Sequence, residues 1–385
     1  MLEAWSQKEA LHFIIADQAG SGKTLAYLLP LIQAIRSEDA AVGKPNTQPR
    51  SPRAVVLAPT TELVQQVYRV AKALSNAGAR MRVAAMTGGQ TDKKERDKSF
   101  RTQREALAGG VDMVICTPGR FTEHLAAGNV NLDAAKAVVL DEVDVLLGDT
   151  TSFADQIAPL RAVAPRLLRF VFVTATLPQQ TAEELVAQWP DMAMATGPGL
   201  HRTAAGLKEE LVDCSGGDDI SLESGTQRKL EALGQSLRKH TAARSLVFCN
   251  KIEACRDVEN YLRRHFEGEN MKVLVYHEAI RENLRHASMN AFLSTVPQDG
   301  SDERMVMVAT DRMSRGIDSM YCGHVILFDF PRDPSEYVRR VGRTARGAGG
   351  TGVVTALVLG RQVALARDII GGNAKGKPVH RLPQL

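Results

Sequence analysis

Residues 13–35 read FIIADQAGSGKTLAYLLPLIQAI. The apolar run Phe13–Ala16 leads into a glycine-rich turn, and the run Leu25–Ile35 that follows has apolar residues at helical spacing. This order predicts a strand, a loop and a helix. Glycines allow backbone amides to turn towards phosphate oxygens, and the positive end of a following helix favours negative charge. The stretch therefore predicts a phosphate-binding loop, the P-loop.

The P-loop ends in the Lys-Thr pair that such loops use to bind a nucleotide. Lys23 is expected to reach the β- and γ-phosphates, and the Thr24 hydroxyl is expected to hold Mg²⁺. Asp17 is a departure from the pattern, which ordinarily opens with a small residue. The alternative, a glycine-rich turn that binds nothing, is disfavoured by the Lys-Thr pair and by the elements that flank it.

A second apolar run, Val138–Leu140, leads directly into Asp141, Glu142 and Asp144. Nucleotide hydrolysis at a P-loop also needs a carboxylate at the end of another strand. Asp141 is expected to hold Mg²⁺, directly or through water, and Glu142 to orient and deprotonate the attacking water. Taken alone, such an acidic cluster is more often a solvated strand end. The P-loop favours the catalytic interpretation.

Positive charge for the transition state has a candidate in residues 339–346, which read RRVGRTAR. Arginines three apart share a helix face, so Arg340, Arg343 and Arg346 are expected to point the same way. Alone, this run is more often a basic surface. With a nucleotide site in the same chain, an arginine finger directed at the γ-phosphate becomes the favoured interpretation.

Short apolar runs alternate with longer helical patterns around the P-loop, which is typical of parallel strands with helical crossovers. The alternation predicts two α/β domains, 1–200 and 207–360, each a mostly parallel sheet flanked by helices, and a short basic tail at 361–385. Residues 189–200 are expected to form no element, and residues 43–53 an exposed loop. The predicted strands are Phe13–Ala16, Ala54–Ala58, Val83–Thr87, Met113–Cys116, Ala137–Leu140, Phe170–Val173, Ser245–Cys249, Lys272–Tyr276, Met305–Ala309, His324–Phe328 and Val353–Leu359.

The composition of the 385 residues, 44% hydrophobic and 24% charged, is that of an ordinary globular protein. The longest apolar runs fall far short of the ~20 residues that cross a bilayer, so no membrane span is expected. The net charge of +4 lies in residues 361–385, with five Lys and Arg and one acidic residue, and does not itself predict a nucleic-acid partner.

The charge-dense segment 92–104 is expected to be a solvated helix face. The five cysteines contain no Cys-x-x-Cys pair, so neither a disulfide framework nor a zinc site is expected.

Nine short motifs follow one another along the chain: Ala19–Thr24, Pro59–Leu63 with Gln66, Thr87–Gly89, Thr117–Arg120, Asp141–Asp144, Thr174–Thr176, Leu246–Asn250, Ala309–Asp311 with Arg315–Asp318, and Tyr337–Arg346. In wording and order they resemble the motifs of the DEAD-box RNA helicases of superfamily 2. The resemblance implies two tandem RecA-like P-loop lobes, with ATP and Mg²⁺ as cofactors. It also implies an RNA-dependent ATPase that remodels RNA duplexes or RNA–protein complexes.

The resemblance further implies roles for individual residues. It assigns the nucleotide site, between the two lobes, to Ala19, Gly20, Ser21, Gly22, Lys23, Thr24, Asp141, Gly316 and Asp318. It gives catalytic roles to Lys23, Glu142, Arg343 and Arg346. It assigns RNA contacts, made to phosphates and 2′-hydroxyls rather than bases, to Thr60, Gly88, Gly89, Thr117, Arg120, Arg285 and Thr310. Thr174 and Thr176 are implied to couple the two sites.

Several departures from the family pattern affect these expectations. Val143 replaces the alanine of Asp-Glu-Ala-Asp and leaves the carboxylates intact, whereas Thr61 replaces an arginine and removes one expected RNA contact. The family's adenine-reading glutamine lies about two dozen residues before the P-loop lysine, a position at or before Met1, and Gln7 is too close to serve. Either the chain is a fragment, or it lacks this adenine contact.

Three functional hypotheses remain open. The first is the RNA-dependent ATPase, the second is an ATP-gated RNA clamp with little turnover, and the third, disfavoured by the motif wording, is a DNA-directed translocase. Residues 211–216, 248–253 and 329–348 also resemble plastid DEAD-box helicases of plants and algae. That resemblance implies a plastid location reached through a transit peptide, and a role in ribosomal RNA maturation and ribosome assembly, with pre-ribosomal particles as partners. Otherwise the cytoplasm or the nucleus is expected, and the chain is expected to be a monomer.

Overall fold

The computed structural model of the protein describes residues 12–88, 93–148, 158–160, 162–164, 168–216, 221–293, 303–311, 322–345 and 349–379. The chain divides into two compact units, and the main division in the sequence falls between Leu200 and His201. Each unit contains a parallel β-sheet with helices connecting its strands.

The first unit is built on a seven-stranded sheet with the order β3-β4-β2-β5-β6-β1-β7, and every described strand pair in it is parallel. Its strands are β1 His12–Ala16, β2 Ala54–Leu57, β3 Val83–Met86, β4 Met113–Cys116, β5 Ala137–Asp141, β6 Arg169–Thr174 and β7 Met192–Thr196. Its helices include α1 Lys23–Val42, α2 Thr61–Leu74, α3 Lys93–Ala108, α4 Pro118–Ala126, α5 Val143–Gly148 and α6 Gln179–Gln188.

The central strands are apolar throughout because both faces of the sheet are covered. In β2, Val55 and Leu57 pack into one hydrophobic core while Ala54 and Val56 pack into the other. Helix α2 buries Leu63, Val64, Val67 and Ala71, which follow helical spacing, and its N-terminus is capped by Thr60. The continuous apolar runs that predicted these strands therefore also explain why the sheet has a hydrophobic core on each of its faces.

Strand β7 corrects the expectation that residues 189–200 form no element. Met192–Thr196 pairs in parallel with β1 along its whole length, and the Gly197 N–H then donates to the Ala16 carbonyl at 2.8 Å. The strand lies at the edge of the sheet and is only partly buried, and it was missed because its short Met-Ala-Met-Ala run contains no β-branched residue. Gly197, Pro198 and Gly199 belong to the turn after the strand.

The second unit is built on a six-stranded sheet with the order β10-β11-β9-β12-β13-β8, again with parallel pairs throughout. Its strands are β8 Leu207–Asp213, β9 Arg244–Phe248, β10 Met271–Tyr276, β11 Arg304–Ala309, β12 His324–Leu327 and β13 Gly352–Val358. Its helices include α7 Leu222–Lys239, α8 Ile252–His265, α9 Glu282–Leu293, α10 Pro334–Val341 and α11 Gln362–Asn373. Among the described helices, none is long and apolar enough to cross a bilayer.

Two features of the second unit differ from the sequence prediction. Strand β8 was not predicted, because as an edge strand it carries four charged residues, Lys208, Glu209, Glu210 and Asp213, and so has no apolar run of strand length. Residues 361–385, expected to be a short basic tail, begin with helix α11, whose Ala366 is fully buried and whose Ile369 and Ile370 pack against the core. These apolar side chains make the start of the expected tail part of the folded unit.

Candidate functional site

The P-loop connects the end of β1 to the start of α1 and depends on two glycines. Gly20 has φ 77° and Gly22 has φ 89°, a left-handed conformation that other residues rarely adopt. Helix α1 begins at Lys23, immediately after Gly22. The N-terminal amides of this helix follow the glycine turn, which is the backbone arrangement that binds phosphate.

The opening position of the P-loop, Asp17, is fixed by three hydrogen bonds. Its carbonyl accepts from Lys23 Nζ at 2.9 Å, and its N–H donates to the Thr174 carbonyl at 3.3 Å. Its carboxylate Oδ1 accepts from the Gly199 N–H at 3.0 Å. A Cβ on Gly197 would lie 2.1 Å from the Asp17 carboxyl group, so only glycine fits there beside it. Asp17 thus ties the P-loop to β6 and to the turn after β7.

The acidic motif lies at the end of β5, close to the P-loop in the strand order. Strands β1, β6 and β5 are neighbours, so the P-loop, Thr174 and Asp141 all lie at the carboxyl edge of one sheet. Asp141 is 6% exposed, and its two oxygens accept from the Tyr27 hydroxyl at 2.9 Å and from the Glu142 N–H at 3.0 Å. Glu142 has φ 52°, so the chain turns sharply before α5 begins.

Asp144 joins the acidic motif to the end of β6. Its Oδ1 accepts from the Thr174 hydroxyl at 2.8 Å and its Oδ2 from the Thr176 hydroxyl at 2.6 Å. Both threonines are fully or almost fully buried. Two threonine hydroxyls on one carboxylate make a rigid link, because a movement of either strand end must displace the other.

The residues at this edge fit a nucleotide bound with Mg²⁺. Backbone amides and Lys23 supply positive charge for phosphate oxygens, while Thr24 and Asp141 supply the hard oxygen ligands that Mg²⁺ prefers. Asp141 is held in place by Tyr27, which the sequence did not indicate as a site residue. Its helical spacing in α1 made it look like an ordinary core aromatic.

The residues expected to contact RNA in the first unit lie on neighbouring loops. Thr60 caps α2 by accepting from the Leu63 N–H at 3.2 Å, and Thr117 immediately precedes α4. Arg120 is 4% exposed, pairs with Glu123 at 3.0 Å, and lies against Gly88. Its charge is therefore placed beneath the Gly88 loop. Gly89 lies outside the described residues.

In the second unit, Arg340 joins the loops that follow three neighbouring strands. Its guanidinium binds both oxygens of Asp311 at 2.6 Å, Asn250 Oδ1 at 2.6 Å and the Asp329 carbonyl at 2.8 Å. Arg340 is fully buried, and these contacts occupy its guanidinium; Arg343 is buried as well. Helix α10 packs this residue onto the strand ends, where the three polar partners satisfy it.

The remaining predicted residues of the second unit have the following positions. Thr310 is buried, with its hydroxyl 3.5 Å from Glu278 Oε2, and Arg285 Nη1 donates to the Glu278 carbonyl at 3.3 Å. Arg343 follows α10, and its Nε donates to the Arg339 carbonyl at 3.2 Å. Gly316, Asp318 and Arg346 lie outside the described residues. The structure therefore brings Thr310 and Arg285 together through Glu278.

Two family models match the chain. The model for the DEAD/DEAH box helicase matches residues 2–185, and the model for the helicase conserved C-terminal domain matches residues 228–348. Together the two matches cover most of the chain and fall one in each unit.

Two curated plant proteins are similar to nearly the whole chain. DEAD-box ATP-dependent RNA helicase 50 of Oryza sativa subsp. japonica is 45% identical over 373 residues, which cover 96% of this chain and 56% of the relative. The Arabidopsis thaliana protein of the same name is also 45% identical over 373 residues, which cover 96% of this chain and 46% of the relative. The chain therefore spans about half the length of the curated relatives it matches.

Solved structures share the architecture at lower identity. S. cerevisiae Dbp5 bound to RNA and ADP BeF3 matches with a TM-score of 0.73 at 21% identity, covering 97% of this chain and 85% of that one. Mss116p bound to ssRNA and AMP-PNP matches with a TM-score of 0.76 at 19% identity, covering 99% of this chain and 73% of that one. These likenesses confirm the predicted fold class of two tandem RecA-like lobes, each a parallel sheet flanked by helices.

Proposed function

Because the chain belongs to the DEAD-box family of RNA helicases, we propose that it is an RNA-dependent ATPase that remodels RNA duplexes or RNA–protein complexes. The observation that carries the proposal is the carboxyl edge of the first sheet, where the P-loop, Asp141 and the Asp144–Thr174–Thr176 link lie on neighbouring strands. The names of the plant relatives support the ATP and RNA parts of the proposal.

The nucleotide chemistry is assigned to side chains at this edge. Lys23 and the amides of the P-loop hold the β- and γ-phosphates, and Thr24 and Asp141 hold Mg²⁺, which when bound neutralises phosphate charge. Glu142 accepts the proton of the attacking water. Arg343 and Arg346 supply positive charge to the γ-phosphate as its bond breaks.

The RNA chemistry is assigned to backbone-directed contacts. Thr60, Gly88 and Thr117 lie on loops of the first unit, and Arg285 and Thr310 lie together in the second. Hydroxyls, amides and a few cations suit phosphates and 2′-hydroxyls, so binding is expected to have little sequence preference. The Asp144–Thr174–Thr176 link is proposed to couple strand movement at the RNA side to the acidic motif.

A first experiment measures phosphate release from ATP with and without single-stranded RNA. The wild-type rate is expected to rise at least about tenfold with RNA. In Glu142→Gln it is expected to fall about 100-fold or more, because the general base is lost. Glu267→Gln, at an exposed position in the second unit, is the matched control and should leave the rate unchanged.

Two results would contradict this assignment. A wild-type rate that is indifferent to RNA would reject the RNA-dependent ATPase. ATP-dependent RNA retention with phosphate release at background would favour instead the ATP-gated RNA clamp. A Glu142→Gln rate equal to that of Glu267→Gln would remove Glu142 from the catalytic assignment.

At a finer level we propose that the protein acts in plastids, on ribosomal RNA and pre-ribosomal particles, as a monomer. The support is the wording of residues 211–216 and 248–253, which resemble plastid helicases. A fluorescent fusion of the complete gene product is expected to locate to plastids, and its depletion to accumulate precursors of large-subunit ribosomal RNA. A fusion confined to the cytoplasm or nucleus would reject this part and leave the ATPase assignment standing.

A further inference from the structure

Buried polar side chains lie between helices α3 and α4, beneath the loop that follows β3. We infer that Asn129, His124 and Gln103 form a hydrogen-bonded relay that positions the Thr87–Gly88 loop for RNA, an inference that rests on the proposed function. None of the three residues belongs to a sequence motif, and none is assigned a contact with ATP or with RNA. They are positioning residues rather than catalytic ones.

The donors and acceptors of the relay are consistent along its whole length. Asn129 Nδ2 lies 3.4 Å from His124 Nδ1, and His124 Nε2 lies 3.0 Å from Gln103 Oε1. Gln103 Nε2 donates to the Thr87 carbonyl at 3.1 Å and to Ser99 Oγ at 3.1 Å. Amide nitrogens only donate, so His124 Nδ1 accepts and its Nε2–H donates. A single neutral tautomer of the imidazole therefore satisfies every member.

The surroundings keep the imidazole neutral and fixed in orientation. His124 is fully buried, and its ring stacks on Phe100 with centroids 4.2 Å apart and planes 3° apart. Burial, together with the nearby Arg120 charge, lowers the pKa of His124 to about 4. Arg120 lies 5.4 Å from the centroid of the same Phe100 ring. At neutral pH the ring can both accept and donate, as the relay requires.

The relay ends on the loops proposed to contact RNA. Thr87 follows the last residue of β3, and the Thr117 N–H donates to the Met86 carbonyl at 3.2 Å. Arg120 Nε lies 3.6 Å from the place where a Cβ on Gly88 would be. The backbone of the Thr87–Gly88 loop is thus hydrogen-bonded from below to Gln103 of α3, and Arg120 of α4 packs against it at Gly88. Its carbonyl and amide directions depend on this support.

A buried histidine is in many proteins only a packed core side chain, and packing alone is the competing explanation here. Leucine has a similar volume and can fill the space beside Phe100, but it leaves Asn129 Nδ2 and Gln103 Oε1 without their imidazole partner. What histidine adds is a hydrogen bond at each end of the ring. If the relay positions the loop, losing those bonds must weaken RNA engagement more than it changes folding or RNA-free turnover.

The test is a titration of ATP turnover with single-stranded RNA in three variants. His124→Leu removes both hydrogen bonds and is expected to raise the half-saturating RNA concentration about tenfold. The RNA-free rate and the RNA-saturated rate should stay within about twofold of wild type, since no group that touches ATP is changed. His124→Gln keeps one acceptor and one donor and should restore the RNA response.

The third variant protects the test against a folding failure. Gln103→Leu breaks the same relay at a partly exposed position and is expected to reproduce the His124→Leu shift. A wild-type RNA response in both leucine variants, or equal losses in His124→Gln and His124→Leu, would overturn the inference while RNA stimulation of the wild type keeps the proposed function. A wild type without RNA stimulation would reject the proposed function and the inference with it.

Discussion

At the scale of single residues, the first unit depends on a buried arginine outside the functional site. Arg53 is 1% exposed, with Nη1 2.7 Å from Asp39 Oδ1 and Nη2 2.6 Å from Asp112 Oδ1. One guanidinium thereby joins the end of α1 to the starts of β2 and β4. The expectation that residues 43–53 form an exposed loop is wrong at Arg53, because this side chain is buried. Its burial was missed because its partners lie 14 and 59 residues away and leave no local pattern in the sequence.

Arg53→Met is expected to destabilise the first unit by about 3–5 kcal/mol, because it removes the buried cation that the Asp39 and Asp112 carboxylates share. Both tryptophans, Trp5 and Trp189, lie in the first 200 residues, so urea unfolding followed by tryptophan fluorescence reports on this unit. Arg96→Met, on the exposed face of α3, is the control and should change stability by less than about 0.5 kcal/mol. Equal unfolding midpoints for the two variants would contradict the account of Arg53.

At the scale of elements, the edge strand β7 and the P-loop support each other. The Gly199 N–H and the Asp17 carboxylate are 3.0 Å apart, while the Asp17 carbonyl accepts from Lys23. Asp17, which departs from the usual small residue, therefore serves as a link between the two elements. Gly197 leaves the space that this carboxylate occupies.

Gly197→Ala is expected to destabilise the first unit by about 1–2 kcal/mol, because the new methyl group displaces the Asp17 carboxylate from its hydrogen bond. The double variant Asp17→Ala/Gly197→Ala removes the clash and should lose less stability than the sum of the single variants. Gly109→Ala meets only ordinary contacts at 3.5 Å and is the control. Additive losses in tryptophan-monitored unfolding would contradict the proposed contact.

Continuous apolar runs made most strands predictable from the sequence, including the central ones whose faces are both buried. Met113–Cys116 was predicted with its exact bounds because β4 is apolar at every position. The edge strands β7 and β8 were missed, because the apolar run of β7 contains no β-branched residue and β8 carries four charged residues. The segment 92–104, expected to be a solvated helix face, exposes the charged side chains that the structure describes in it, yet Phe100 and Gln103 turn inward to His124. Two inward residues are too few to stand out against so many charges.

At the scale of the whole molecule, the candidate site combines motifs that a sequence can indicate with contacts that it cannot. The P-loop and the acidic motif were predicted because each has a local signature. The links between them, from Tyr27 to Asp141 and from Asp144 to Thr174, join residues 114 and 30 positions apart. Only the strand order β5-β6-β1 brings them together. The same holds for Arg340, whose partners follow three different strands.

The central claim is that RNA controls ATP turnover by this chain. The most direct measurement is the steady-state rate of phosphate release from Mg²⁺–ATP in the presence of a single-stranded RNA, of DNA of the same sequence, and of neither. The account predicts at least about a tenfold rise with RNA and little with DNA, because the proposed contacts include 2′-hydroxyls. Equal rates under all three conditions, or a response to DNA that matches the response to RNA, would contradict it.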